Sequence, residues 1–284
     1  MKGRMFMINA VKMNGNGNDF LVINNMDKKY DSNDLSEMAR KLCRRRESVG
    51  GDGILVLESS QLRAFKMRLF NSDGSEGEMC GNGARCAARF AFESGITEKS
   101  DLTFETLGGD VRASVNGPRV TLKLAPVILD NIMVDTPICV NGEDFNYTFI
   151  TVGVPHAVIF EEKRSRSEEG YRTLGRAIRN RTDLFPDGTN VNFVVPRESL
   201  DAELDVLTYE RGVEDLTLSC GTGSTASAIA SVLIGITGPK VDVWNPGGLN
   251  RVTLSFEGSD KVFPELEGSV VNVASLSITE ESMR

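Results

Sequence analysis

Met79-Cys80-Gly81-Asn82-Gly83-Ala84 is answered, about half a chain length later, by Ser219-Cys220-Gly221-Thr222-Gly223-Ser224. Both stretches read cysteine, glycine, any residue, glycine, small residue, and each runs into a small-residue helical pattern, over 84–92 and over 224–234. A second pair, Gly17-Asn18-Asp19-Phe20-Leu21-Val22-Ile23 and Gly153-Val154-Pro155-His156-Ala157-Val158-Ile159, recurs at nearly the same offset. Two offsets that agree so closely predict a duplicated fold. Residues 1–125 form one half and 126–270 the other, with a last strand over 271–284 returning to the first half.

Around these segments the chain reads mainly as strands. Stretches 102–106, 111–115, 120–124, 204–209 and 252–256 alternate apolar and polar residues, with Asn116-Gly117 and Asn141-Gly142 as hairpin turns. Leu35, Met38, Ala39, Leu42 and Cys43 fall on one helical face behind the cap candidates Asp31, Ser32 and Asn33. The expected class is α+β. Two pseudo-symmetric domains are predicted, each a curved, mostly antiparallel sheet wrapped around a central helix that starts at C-G-x-G.

Composition excludes several function classes. The 284 residues are 40% hydrophobic and 25% charged, as in globular proteins. A net charge of −8 and a pI near 5.0 repel polyanions, so neither nucleic acid nor an anionic membrane is an expected partner. Arg40, Lys41, Arg44, Arg45 and Arg46 read as a solvated helix face. The apolar stretch after Met1-Lys2-Gly3-Arg4 is broken by Asn9 and Lys12, which predicts no secretory leader, and no run approaches the ~20 apolar residues of a membrane span. Five widely spaced cysteines with no CxxC or Cys/His cluster favour neither a disulfide framework nor a metal site. The reading is a soluble protein of the reducing cytoplasm, with Cys43, Cys86 and Cys139 packed in apolar surroundings.

Cys80 and Cys220 differ from those three because each stands where a helix begins. A helix start presents free N–H groups and a partial positive charge, which attract anions and favour thiolate. The glycines that follow let a carboxylate approach the backbone. Two such thiols acting on one planar carbon can invert it: a thiolate takes a proton from one face and a thiol delivers one to the other. No cofactor or metal is needed, since helix ends aimed at the substrate carboxylate stabilise the carbanion.

The segments Lys12-Met13-Asn14-Gly15-Asn16-Gly17-Asn18-Asp19-Phe20, Phe70-Asn71-Ser72-Asp73-Gly74-Ser75-Glu76, Met79 to Arg85, Gly188-Thr189-Asn190-Val191-Asn192-Phe193, Tyr209-Glu210-Arg211-Gly212 and Ser219 to Gly223 together resemble the diaminopimelate epimerase family. The resemblance implies pyridoxal-independent epimerisation of LL-diaminopimelate to the meso form, in lysine and cell-wall precursor biosynthesis, by a homodimer. It implies Cys80 and Cys220 as acid and base, and backbone contacts from Gly81, Asn82, Gly221 and Thr222 to the reacting carboxylate. It places Glu210 and His156 near the reacting amino group. Asn71, Asn190 and Arg211 would hold the distal centre, and Asn18 would line the cleft. Three positions depart from the family pattern: Val154 stands where an Asn is expected, Gly53 where a Gln is expected, and the segment between Glu210 and Cys220 is one residue longer than usual. Val154 motivates an alternative, another cofactor-free amino-acid racemase of the same fold. The altered segment motivates a second, a non-catalytic amino-acid-binding protein.

Overall fold

The computed structural model describes residues 7–130, 132–198 and 202–284; the opening Met1-Lys2-Gly3-Arg4 lies outside them. The chain divides into two compact units. One holds the residues up to Leu122 together with Gly268–Arg284, and the other is Lys123–Glu267.

In the first unit β1 (Met7–Gly15) and β2 (Asn18–Asn24) form a hairpin. Its turn places Asn16 and Gly17 at positive φ, a conformation that suits both residue types. A crossover through α1 (Ser32–Leu42) brings β3 (Gly53–Glu58) parallel to β2, with Phe20 opposite Gly53. Strand β4 (Lys66–Asn71) returns antiparallel, and the short β5 (Glu76–Gly77) leads into α2 (Gly81–Glu93). Strands β6 (Asp101–Thr106), β7 (Gly109–Asn116) and β8 (Arg119–Lys123) follow as an antiparallel meander.

The second unit repeats that order. After the two-residue β9 (Val127–Ile128), strands β10 (Met133–Val140) and β11 (Glu143–Val152) join through Asn141 and Gly142, both at positive φ as a two-residue hairpin turn requires. Strand β12 (Val154–Phe160) crosses over through α3 (Glu168–Arg179) to the parallel β13 (Asn190–Pro196), with His156 opposite Asn190. Next come β14 (Glu203–Glu210), β15 (Asp215–Thr217), α4 (Gly221–Leu233), β16 (Lys240–Asn245), β17 (Gly248–Glu257) and β18 (Lys261–Thr279). From Gly268 onward β18 belongs to the first unit, where it pairs with β1 along its length. A 3-10 turn, Glu280–Met283, ends the chain.

Each unit therefore has one helix outside its sheet and one inside. α1 buries Leu35, Met38, Ala39 and Leu42 against Leu21, Ile23, Ile54 and Val56, with Asp31 capping its start. α3 buries Tyr171, Leu174 and Ile178 against Ile159, Phe193 and Tyr209. The inner helices have no polar face to spare. Ala84 to Ala88 of α2 and Gly223 to Ser231 of α4 are buried throughout, and apart from Arg85 and Ile229 their side chains are small, which lets a sheet pack closely around each helix. The serines and threonines of α4 remain satisfied, because Thr225 and Ser227 donate to carbonyls one turn back and Ser224 to the Cys220 carbonyl.

Two sequence expectations are corrected. Cys139 is exposed, since strand alternation on β10 turns Ile138 and Val140 inward and Cys139 outward. The basic cluster is not one helix face: Arg40 and Lys41 belong to the last turn of α1, while Arg44, Arg45 and Arg46 follow it, and the exposed Arg45 is tied into an ion-pair network. Arg45 pairs with Asp19 (2.5 Å) and Asp52 (2.9 Å), and Lys12 holds Asp19 from the other side at 2.6 Å. Burial alone would raise the Asp19 carboxyl, but the hydrogen bonds and charges of Arg45 and Lys12 outweigh it and bring it to about 2.

Candidate active site

Cys80 and Cys220 are the N-cap residues of the two inner helices. Both have extended backbone, φ −135° and ψ 123° at Cys80, φ −118° and ψ 112° at Cys220. The first intrahelical bonds run from Ala84 N–H to the Cys80 carbonyl (2.7 Å) and from Ser224 N–H to the Cys220 carbonyl (2.9 Å). The N–H groups of residues 81–83 and 221–223 consequently have no carbonyl within their own helix. The glycines of the two turns serve different ends. A Cβ on Gly81 would meet nothing within 4 Å, which leaves its backbone open to approach. A Cβ on Gly83 would lie 3.0 Å from Leu55, and one on Gly223 would overlap Asn192 and sit 3.1 Å from Thr208. These two let the helix starts press onto the sheet.

Around Cys80, its Sγ donates to Asn18 Oδ1 at 3.3 Å, while Asn18 Nδ2 donates to Asp52 Oδ2 at 2.5 Å. The same Asp52 oxygen accepts the Asp19 N–H at 3.0 Å. Asn82 is buried and its Oδ1 accepts from Arg85 at 2.6 Å, so its side chain is committed and only its backbone is available to a ligand. Arg85 is itself fully buried with Nε and Nη1 unpartnered, and burial lowers its affinity for the proton. Asn71 ends β4, opposite Gly53 in register; its exposed side chain donates to Ser75 Oγ at 3.0 Å. Gly53 has no room for a side chain, because a Cβ there would lie 2.5 Å from the Phe70 carbonyl oxygen. A backbone contact is all this position can offer.

Around Cys220, its Sγ accepts from Gly223 N–H at 3.4 Å and lies 3.5 Å from Thr222 Oγ1. Asn190, buried at the start of β13, accepts the Arg211 N–H at 2.8 Å, and the Arg211 guanidinium donates to the Asp187 carbonyl at 2.7 Å. Burial pushes the Glu210 carboxyl up, against the opposing effect of Thr217 beside it.

His156, the chain's single histidine, is fully buried. Its Nδ1 lies 3.1 Å from Asn192 Nδ2, which also points at the Ala157 carbonyl (3.4 Å), while Thr208 Oγ1 donates to Asn192 Oδ1 at 2.9 Å. A carbonyl only accepts, so the amide nitrogen is the donor and His156 Nδ1 the acceptor, leaving the proton on Nε2. That Nε2 is buried without a partner. Burial, with the Arg211 charge adding, pushes the imidazole down to about 3. The native state thus binds fewer protons than the unfolded chain between about pH 3 and 6.5, and His156 costs stability as pH falls through that window. With one histidine, ¹⁵N-histidine labelling reads this site without assignment. The expected spectrum is a neutral Nε2–H tautomer that does not titrate between pH 8 and pH 5; a midpoint near 6.5 would contradict the network.

Asp52, Asn192 and Thr208 are the residues sequence reading missed. Asn192 lies inside a quoted motif and Asp52 precedes Gly53, yet their partners are distant in the chain. Among the described residues no group of three or more His, Cys, Asp or Glu could hold a metal ion, and no helix is long and apolar enough to cross a membrane.

The diaminopimelate epimerase family model matches residues 10–127 and 148–271. A diaminopimelate epimerase of Aquifex aeolicus is 41% identical over 282 residues, 95% of this chain and 97% of its own length. One of Caldanaerobacter subterraneus subsp. tengcongensis is 38% identical over 271 residues, covering 90% and 95%. Among solved structures, a PhzF-family phenazine biosynthesis protein of Bacillus anthracis superimposes with TM-score 0.71 at 15% identity, over 96% of this chain and 99% of its own. A hydroxyproline epimerase of Agrobacterium vitis, with bound trans-4-hydroxy-L-proline, gives TM-score 0.69 at 17% identity, over 98% and 92%. These two likenesses show the fold. The family model and the two diaminopimelate epimerase relatives show the rest: the chain belongs to the diaminopimelate epimerase family.

Proposed function

We propose that this enzyme, an isomerase, interconverts LL- and meso-diaminopimelate by a two-cysteine relay without cofactor, in lysine and cell-wall precursor biosynthesis. The observation that carries the reading is the pair of cysteines capping corresponding helices of two similarly built units. One sulfur, as thiolate, takes the α-proton; the other, as thiol, returns a proton to the opposite face of the planar carbanion. Reversed protonation states run the reaction backward. The negative charge that develops on the substrate carboxylate is met by the N–H groups of Gly81, Asn82, Gly221 and Thr222. Each preorganised donor contributes about 3 kcal/mol in a water-excluded site.

The remaining residues bind rather than react. Neutral His156 offers Nε2–H, and Glu210 a carboxylate for the substrate ammonium. Arg211, Asn190 and Asn71 suit the carboxylate and amino group of the distal centre. Asn18 lies in contact with Cys80 and serves the near end. The resemblance supports a homodimer, and the cysteine usage supports a cytoplasmic setting.

Incubation in heavy water with diaminopimelate stereoisomers tests the proposal. Deuterium should appear at the α-carbon as the stereocentre inverts, and no incorporation by the reduced protein would overturn the assignment. Val154, an apolar residue where the family carries an amide, favours one competing reading, a racemase for a different amino acid. Exchange into a monocarboxylic amino acid with diaminopimelate inert would establish that instead.

A further inference from the structure

We infer that Asn192 is a positioning residue: together with Thr208 it holds the His156 ring in one tautomer, with the proton on Nε2, so that the bound substrate meets a hydrogen-bond donor there and not an acceptor. This deepens the proposed reaction, in which His156 lies beside the reacting centre, and rests on it.

The two units place different chemistry at equivalent positions. In the first, Phe20 on β2 lies opposite Gly53 on β3, and two residues further along β3 Leu55 faces Leu69 on β4. In the second, His156 on β12 lies opposite Asn190 on β13, and two residues further along β13 Asn192 faces Thr208 on β14. Both trios are buried, and both lie under the start of an inner helix. A Cβ on Gly83 would meet Leu55 and Phe20, and one on Gly223 would meet Asn192 and Thr208. Phe20, Leu55 and Leu69 show that apolar side chains satisfy the packing at this place. His156, Asn192 and Thr208 instead bury polar atoms, each of which costs stability unless it is paired. The one polar side-chain atom of the trio left unpaired is His156 Nε2. Packing does not call for this trio, and a ligand does.

The network has one direction. The Ala157 carbonyl only accepts, so the amide atom facing it at 3.4 Å is Asn192 Nδ2, and the same nitrogen donates to His156 Nδ1 at 3.1 Å. Thr208 Oγ1 donates to Asn192 Oδ1 at 2.9 Å and so opposes a turn of the amide. A neutral ring that accepts at Nδ1 carries its proton on Nε2. Burial and the charge of Arg211 both oppose a second proton. A substrate ammonium has no lone pair for Nε2–H, and Glu210 already offers it a carboxylate. The donor suits an atom that gains negative charge as the α-proton leaves.

Histidine ¹⁵N shifts of the reduced protein at about pH 9 test the assignment, because the chain has one histidine. The native ring should show the Nε2–H tautomer alone. Asn192→Asp keeps the side-chain shape and still accepts from Thr208, but it turns only acceptors toward His156. The proton should therefore move to Nδ1 and leave Nε2 bare, and kcat should fall about 10²-fold with KM changed much less. An Asn192 that merely filled space would lower the melting temperature of its variants and leave the tautomer alone. Should Asn192→Asp fail to fold, Asn192→Leu puts here the residue type that the first unit carries as Leu55. With no donor at Nδ1, the shifts should move to values averaged over both tautomers, and kcat should again fall. A native proton on Nδ1, or a folded Asn192 variant that keeps the single Nε2–H tautomer or the native kcat, would overturn the inference. The tautomer is read without substrate, so its failure is distinct from an absence of deuterium in the heavy-water experiment.

Discussion

Cys80→Ser and Cys220→Ser should each lower the kcat/KM for inversion by about 10³-fold or more while leaving the fold unchanged. A serine hydroxyl is a far weaker acid than a thiol, and general acid–base steps of this kind typically contribute about 10²–10⁴-fold. The fold should survive because serine is itself a preferred N-cap and the helices need only a capping residue there. The two variants should differ in what they retain. Each keeps one competent sulfur, so each should still exchange the α-hydrogen of one stereoisomer with solvent deuterium without inverting it. The double variant should be hardly worse than either single one, since the two groups act as a unit. Stereoisomer-resolved exchange read by NMR, beside circular dichroism melts, checks all three outcomes. Full inversion by either single variant would remove the relay.

The second large effect is expected at a residue with no chemistry of its own. Gly223→Ala should destabilise the second unit by about 1–3 kcal/mol and lower activity by about 10²-fold. A Cβ at this position overlaps Asn192 and crowds Thr208, two buried side chains held by mutual hydrogen bonds, so neither can swing away. The start of α4 must lift instead, carrying Cys220 with it, and a displacement approaching about 1 Å costs rate on that order. The counterpart Gly83→Ala supplies the comparison. Its Cβ would meet the methyl end of Leu55 at 3.0 Å, which can yield, so the cost should be markedly smaller. Urea unfolding and steady-state rates on both variants separate the cases; equal effects would mean that Asn192 yields as easily as Leu55.

These glycines show how far the sequence could be read and where it stopped. The paired C-G-x-G segments located both inner helices because a cap, a glycine turn and a small-residue run are local signals. The α1 face and the Asn141-Gly142 turn were legible for the same reason. Helix α3 was not. Its segment is crowded with charge and carries Gly170 and Gly175, while only Tyr171, Leu174 and Ile178 mark the buried face. Gly175 belongs to that face too, since a Cβ there would lie 2.6 Å from Tyr209, but a glycine gives no apolar signal. Cys139 was misread because its apolar neighbours were taken to imply burial, when on a strand they imply the reverse. Within the candidate site the two cysteines proposed to react were visible and the side chains that support the site were not. Asp52 holds Asn18 across 34 residues and Asn192 holds His156 across 36, and such pairs exist only once parallel strands have been set side by side.

The division of β18 bears on how the chain comes into being. Lys123–Glu267 is one continuous stretch of polypeptide, whereas the other unit takes its edge partner for β1 from residues after Gly268. During synthesis the later unit can close as soon as its own residues have emerged. The earlier one must wait, with the backbone of β1 open on one side, until the residues after Gly268 have been translated. Birth order and folding order are thereby reversed, and a nascent chain stalled before Gly268 would expose a sticky edge for a chaperone to cover.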